Sequence, residues 1–598
     1  MLLRVAFLSS VAGFLYGYDL GLIGGAIGGL SKEFQIEHNT SLREGIVAGA
    51  KGGAFFGTFL GGALMLRYGR RRAIALLGGL FAIGPAIMAT AGLGGGNGPG
   101  ALIAGRVIIG LGIGASAIVV PSYLAELAPA RIRGSIVAIY EVMLVFGMLT
   151  SLLMDALLAA TAGPSAWRIM VGLPAVPGLV LAASLLFLPE SPRWLVMRGD
   201  IDAARATLHR VQTRGARRRA CASEAAAEAA LARAEQELER LKSSVDKDRH
   251  AALARRAQLM RRGGGAPGEG GASEATAGAQ AAAVVDMRAA AGSKQQSDPA
   301  AAAAAAAAEA ALEQEGASDA HTVPLGGHEP GREPWFVQTL VWMLADIVAV
   351  ARGPERRAFV LAVVLAFFDQ ANASTSVINY MSTLLSQGMG VKMSSALLLP
   401  ATVAATKVVG VTIATSLVDR VGRRPLLFFG GATSAAALFA AAGAVAAHSP
   451  AGVVVCMCAF LLGYSIGWAS NYWVVVSELF SMTAKSPGSS AATAILFATG
   501  AITDLVFLSI FEACGPWTFV IFGSIGALGA VFVFLCIPET KGRTLLEVQE
   551  LMQSSARPWA EDCARLRACG CCRRPAAGAK CGSAGSGGGG DFELGRQH

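Results

Sequence analysis

The amino-acid sequence predicts an all-α polytopic membrane protein, with twelve transmembrane helices arranged as two six-helix halves. Three observations carry that expectation. Apolar residues are concentrated in runs of roughly 20 or more, the length that crosses a hydrocarbon core of about 30 Å. Short connections rich in arginine alternate with connections that carry little positive charge. A long low-complexity stretch divides the apolar runs into six and six, and a similar arginine turn recurs in each set.

Composition supports the class before any motif is read. Of 598 residues, 54% are hydrophobic and 15% charged, too few charges to cover the surface of a soluble chain this long. The 74 glycines suit close helix packing in lipid, where small residues let backbones approach. Spans are expected over residues 5–30, 45–66, 73–93, 101–125, 134–160, 167–188, 357–388, 394–418, 425–447, 451–480, 488–511 and 516–537. The first lies where a signal peptide would. However, Asp19 sits inside it, and Gly21, Gly24, Gly25, Gly28 and Gly29 stud its end, which argues for a retained span.

The spans define an N-terminal half (1–188), a long linker (189–356), a C-terminal half (357–537) and a C-terminal tail (538–598). The net charge of +9 does not point to nucleic acid, because it falls in the connections. Arg67, Arg70, Arg71 and Arg72, then Arg131 and Arg133, Arg420, Arg423 and Arg424, and Lys541 and Arg543 all lie between or after apolar runs. By the positive-inside rule these connections, the linker and both termini face the cytosol. The linker has helix-forming composition from Ala216 to Arg262, followed by Gly and Ala tracts of disordered character, including Ala300–Ala308. An internal repeat fits a transporter made of two similar halves: GALMLRYGRRR (Gly62–Arg72) and SLVDRVGRRPL (Ser416–Leu426) share an R-x-G-R-R core. The ten cysteines make no disulfide or zinc pattern. Five of them, Cys563, Cys569, Cys571, Cys572 and Cys581, crowd the tail, where acylation is an alternative to free thiols.

Several strings carry a family resemblance. In the first half they are YGYDLGLIGGA (Tyr16–Ala26), GRVIIGLGIG (Gly105–Gly114), PSYLAELAPARIRG (Pro121–Gly134) and PESPRWLV (Pro189–Val196). In the second they are VDRVGRR (Val418–Arg424), SELF (Ser477–Phe480) and PETKGRT (Pro538–Thr544). With these the chain resembles the sugar porters of the major facilitator superfamily, in particular proton-coupled monosaccharide symporters, from Asp19 to about Leu551 without the linker. The resemblance implies the major facilitator fold and sugar transport by alternating access. It also implies a charge network at the cytosolic helix ends that latches the halves while the outside is open. On the matching positions the network comprises Arg67, Arg70, Glu126, Arg131, Arg133, Glu190 and Arg193 in the first half, and Asp419, Arg423, Arg424, Glu478 and Lys485 in the second. Leu66 stands where the family usually has Asp, which weakens the first-half latch.

An ionisable residue inside a span is a functional hypothesis by default. Asp19 occupies the position that is acidic in proton-coupled members, and Arg106 that of its partner. Burial disfavours a carboxylate and a neighbouring guanidinium favours it, so the pair can hold a proton site that responds to conformation. The substrate positions depart from the family. Glu141 stands on span five, Asp369 and Gln370 replace paired glutamines on span seven, Thr375 replaces an asparagine there, and Lys407 replaces one on span eight. Span ten lacks the family's proline pair but keeps Trp473. Lys51, Asp155 and Asp504 are further charges within spans.

The expected function is therefore transport of a sugar (hexose, pentose or polyol), with protons as the co-substrate and no cofactor, metal or nucleic acid. A carrier of a charged solute is the alternative, and a non-transporting nutrient sensor a third reading. An enzyme is not expected, since no nucleophile–base pair, metal triad or nucleotide loop is visible. The plasma membrane is the default location, with vacuolar or plastid membranes as alternatives, and Asn39-Thr40-Ser41 is a glycosylation acceptor by pattern.

Overall fold

The computed structural model describes residues 2–93, 97–128, 132–219, 231–246 without 233, 335–389, 393–481, 484–541, 547–548 and 552. The side chains of Arg133 and Asp419, and the whole of Arg131, Cys221 and the cysteine-rich tail, lie outside the described residues.

Among the described residues, eleven helices are long and apolar enough to cross a membrane. One of them, Thr40–Ala89, has 50 residues. At 1.5 Å per residue it would be about 75 Å long, more than twice the bilayer core. It is bent at Gly69 (φ 83°, ψ 175°), which divides it into spans two and three and makes the count twelve. Span one is Leu2–Glu33, span four Gly98–Leu127, span five Arg133–Thr161 and span six Ala166–Leu186. Span seven is Arg356–Leu385, span eight Leu399–Val418, span nine Arg423–Ala446, span ten Pro450–Leu479, span eleven Lys485–Cys514 and span twelve Trp517–Cys536.

Successive spans run in opposite directions, so the bundle has two ends. One carries the arginine turns at Gly69 and Gly422 and is called the arginine end below. The other carries the turn at Asn39, whose side chain caps span two by accepting from Leu42 N at 3.0 Å. Spans two and four pack so closely that a Cβ on Gly53 would lie 2.3 Å from the Val107 carbonyl oxygen, and one on Gly114 would lie 1.9 Å from that of Ala54. The glycine content therefore supports backbone-to-backbone packing. The two halves meet where span two lies against span eleven and span five against span eight.

Several spans are interrupted, and the interruptions bear on the site. Span seven breaks between Arg356–Ala371 and Ser376–Met389, with Ala373 in a left-handed conformation (φ 61°). Span ten contains a π-helical turn, Ser465–Ala469, so it is unwound locally without the proline pair.

Between the halves, Pro192–Met197, Ile201–Arg219 and a helix over 234–246 bury a small apolar cluster of Trp194, Leu195, Ala204, Leu208, Ala234 and Leu238. A further apolar helix, Trp335–Arg352, precedes span seven and rests on spans two, seven and eleven. It lies within the stretch that the sequence assigns to the linker (189–356).

Candidate functional site

At the bundle centre Asp19 of span one and Arg106 of span four form an ion pair, each 3% exposed. Arg106 also donates through Nε to Ile46 O (3.1 Å) and through Nη2 to Val47 O (3.2 Å), which ties spans one, two and four together. The guanidinium is thus held from two sides, and only one of its partners can be protonated. A cavity opens on this pair and is also lined by Tyr16, Lys51, Asn379 and Asp504.

A second polar group surrounds the break in span seven. Asp369 accepts from Gln370 Nε2 (3.0 Å) and from the Tyr464 hydroxyl (3.2 Å to each oxygen). Thr375 donates to Gln370 Oε1 at 3.4 Å and accepts from Lys51. Lys51 Nζ lies 2.8 Å from Asp504 Oδ2, at an angle outside hydrogen-bond geometry. A continuous polar chain therefore runs from Asp504 and Lys51 through Thr375 and Gln370 to Asp369 and Tyr464. It draws on spans eleven, two, seven and ten.

Glu141 and Trp473 are half-buried and Lys407 is buried. Lys407 lies in the electrostatic field of Glu141 and Asp369, yet makes no ion pair with a described residue. The cost of burying a charge falls if the pocket is wet or occupied by a polar solute.

At the arginine end two ion pairs of the expected network form, one in each half. Arg70 Nη2 bonds Glu126 (2.9 Å), and Arg423 Nη2 bonds Glu478 (3.2 Å). Glu190 accepts from the backbone N–H groups of Arg70 (2.8 Å) and Arg71 (3.2 Å), capping the start of span three. Glu539 does the same for Arg423 (3.1 Å) and Arg424 (3.2 Å) at the start of span nine. A helix N-terminus favours such an anion. Both turns use glycine for a reason: Gly69 and Gly422 have φ of 83° and 111°, and a Cβ there would lie 2.6 Å and 2.7 Å from the two carboxylates. Arg67 packs over the Tyr68 ring at 5.8 Å, and Arg193 and Lys485 are both engaged in contacts. Glu539 was missed by sequence reasoning, although PETKGRT mirrors PESPRW and signals it.

The opposite end is closed across the halves. Glu44 accepts from Ser509 N and Oγ (2.7 Å each), Thr40 donates to Glu512 (2.7 Å), and Ser382 donates to the Gly24 carbonyl. The contacts that join the two halves at this end are therefore formed in this structure.

Two six-span halves around a central buried charge site define a membrane transporter of the major facilitator fold. The family profile described as "Sugar (and other) transporter" matches residues 5–260 and 344–552, and the chain belongs to that family. A probable metabolite transport protein of Bacillus subtilis is 28% identical over 552 residues, covering 91% of this chain and 93% of that protein. A glucose transporter of Staphylococcus epidermidis is 26% identical, covering 91% and 95%. Among solved structures, the proton:xylose symporter XylE bound to 6-bromo-6-deoxy-D-glucose superposes with a TM-score of 0.63 at 22% identity, covering 92% of this chain and 99% of that one.

Proposed function

We propose that the chain couples the movement of a neutral polyhydroxy solute, a sugar or polyol, to that of a proton. The observation that carries this reading is the isolated Asp19–Arg106 pair, whose arginine keeps two backbone acceptors of its own. When Asp19 takes a proton it releases Arg106 without leaving the guanidinium bare. Spans one and four can then shift relative to each other. The solute pocket lies at the break of span seven, where Asp369, Gln370 and Thr375, with Glu141 and Trp473, offer the acceptors, donors and aromatic face that hydroxyl-rich rings need. The glucose transporter among the relatives agrees with that chemistry.

In this reading the arginine end, both termini and the 189–356 linker face the cytosol. The residues assigned to the gate network, including Arg131, Arg133 and Asp419, would meet across the halves when that end closes. The plasma membrane is the location we assign.

A second reading rests on Lys407, which has no ion-pair partner among the described residues and stands free for an anionic solute. Proteoliposome uptake with neutral sugars, polyols, sugar acids and amino compounds, under an imposed pH gradient, separates the two. Proton-driven accumulation of a neutral polyol or sugar supports the first. Accumulation of only anionic solutes overturns it in favour of the second.

A further inference from the structure

Lys51 and Asp504 belong neither to the proton pair nor to the solute pocket, yet they lie against both. Lys51 is on span two of the first half, and every partner of its ammonium among the described residues comes from the second: Asp504 at 2.8 Å, Thr375, and the Gly500 carbonyl at 3.4 Å. Asp504 also accepts from Ser376. Both residues are deeply buried, 7% and 0% exposed. Toward the Asn39 end from this pair, the halves are joined by the Glu44–Ser509 and Ser382–Gly24 hydrogen bonds.

We propose that Lys51 and Asp504 are the charged latch of the gate at the Asn39 end, made when that end closes and separated each time it opens. The physical argument concerns where each charge goes. In the closed state the two charges satisfy each other away from water. When the halves part, Lys51 leaves with the first half and loses these three acceptors together, while Asp504 keeps its bond from Ser376. Both must then be solvated by the water that enters. A pair formed in only one of two states biases the equilibrium between them by its attraction less the cost of taking both charges out of water, and the Thr375 and Gly500 acceptors across the seam add to the closed side. Thr375 extends the latch to the solute. Its hydroxyl serves Lys51 and Gln370 at once, so a solute that takes over Gln370 or Thr375 weakens the hold on Lys51. Occupancy of the pocket is thereby read by the gate. The proposal rests on alternating access and not on which solute is carried.

The test reads gate opening directly. Ser382→Cys, placed in a background with the ten native cysteines replaced, reports the Asn39 end because Ser382 is buried at the seam between the halves. The full-length protein in lipid nanodiscs is labelled with a hydrophilic maleimide, without solute. With the pair intact, labelling is slow. In the Lys51→Met/Asp504→Asn double variant, which strands no charge, labelling accelerates about tenfold as the equilibrium shifts toward opening. A double variant that reacts at the parent's rate overturns the proposal. If the double variant is not recovered as monodisperse protein, the isosteric Asp504→Asn alone replaces it: faster labelling supports the latch, and the parent's rate overturns it. Because no solute is present, failure here leaves the proposed choice of solute untouched.

Discussion

Replacing Asp19 by asparagine separates the proton from the packing of the site. Asparagine keeps the volume and an oxygen acceptor for Arg106, but it neither titrates nor carries charge. Arg106 retains the Ile46 and Val47 carbonyls at 3.1 Å and 3.2 Å. The structural cost is therefore that of a weakened charged hydrogen bond, about 1.5–3 kcal/mol. Stranding a buried charge altogether would cost about 3–5 kcal/mol. The functional loss is larger. One titrating carboxyl carries one proton per cycle, and one pH unit across the membrane is worth about 1.4 kcal/mol, or tenfold in concentration. Proteoliposomes with the unaltered protein should concentrate a neutral solute up to about tenfold per pH unit, and those with Asp19→Asn should not concentrate it at all. Solute exchange at equal pH should persist in the variant. An Asp19→Asn protein that still concentrates solute, with unchanged dependence on the pH gradient, would show Asp19 to be structural and refute proton coupling through it.

Further outcomes follow from other parts of the structure. If Lys407 only balances the neighbouring acids, Lys407→Met should severely impair uptake, and adding Asp369→Asn or Glu141→Gln should restore much of it; rescue by neither, with uptake confined to anions, would identify Lys407 as a solute ligand. Gly69→Ala and Gly422→Ala should each lower stability by about 1–3 kcal/mol, because each adds a Cβ at positive φ against a carboxylate. A thermal melt unchanged in both would remove the argument that these turns require glycine. In a protein at the cell surface, Cys221 should stay unlabelled by an impermeant thiol reagent in intact cells and react after permeabilisation, whereas labelling of intact cells would invert the proposed topology.

Much of the fold was legible because a bilayer enforces simple rules. A helix must be apolar for about 20 residues to cross, and the twelve runs read from the sequence correspond to spans in the structure. The bend at Gly69 was legible for the same reason: a single helix of 50 residues cannot fit, and the arginine turn marks where it breaks. The site was legible one residue at a time, since each charge inside a span stands out against its neighbours. Asp19 and Arg106 could be paired from family positions. Lys51 and Asp504 could not, because 452 intervening residues and a whole half of the bundle separate them in sequence, and no periodicity connects span two with span eleven.

The turns show how the two kinds of information join. From the sequence alone Glu190 is one member of a charge network and Glu539 has no assigned role. In the structure each carboxylate receives two backbone N–H groups at the start of the helix that follows its own glycine turn. Each is also the carboxylate that a Cβ on that glycine would strike. The repeated motif is therefore one device used twice. A glycine opens the turn, its arginine reaches a glutamate on a neighbouring span, and a distant glutamate neutralises the exposed helix start. Two such devices at corresponding places tie neighbouring spans together within each half. The contacts that cross the seam are of another kind, and the Lys51–Asp504 pair is among these.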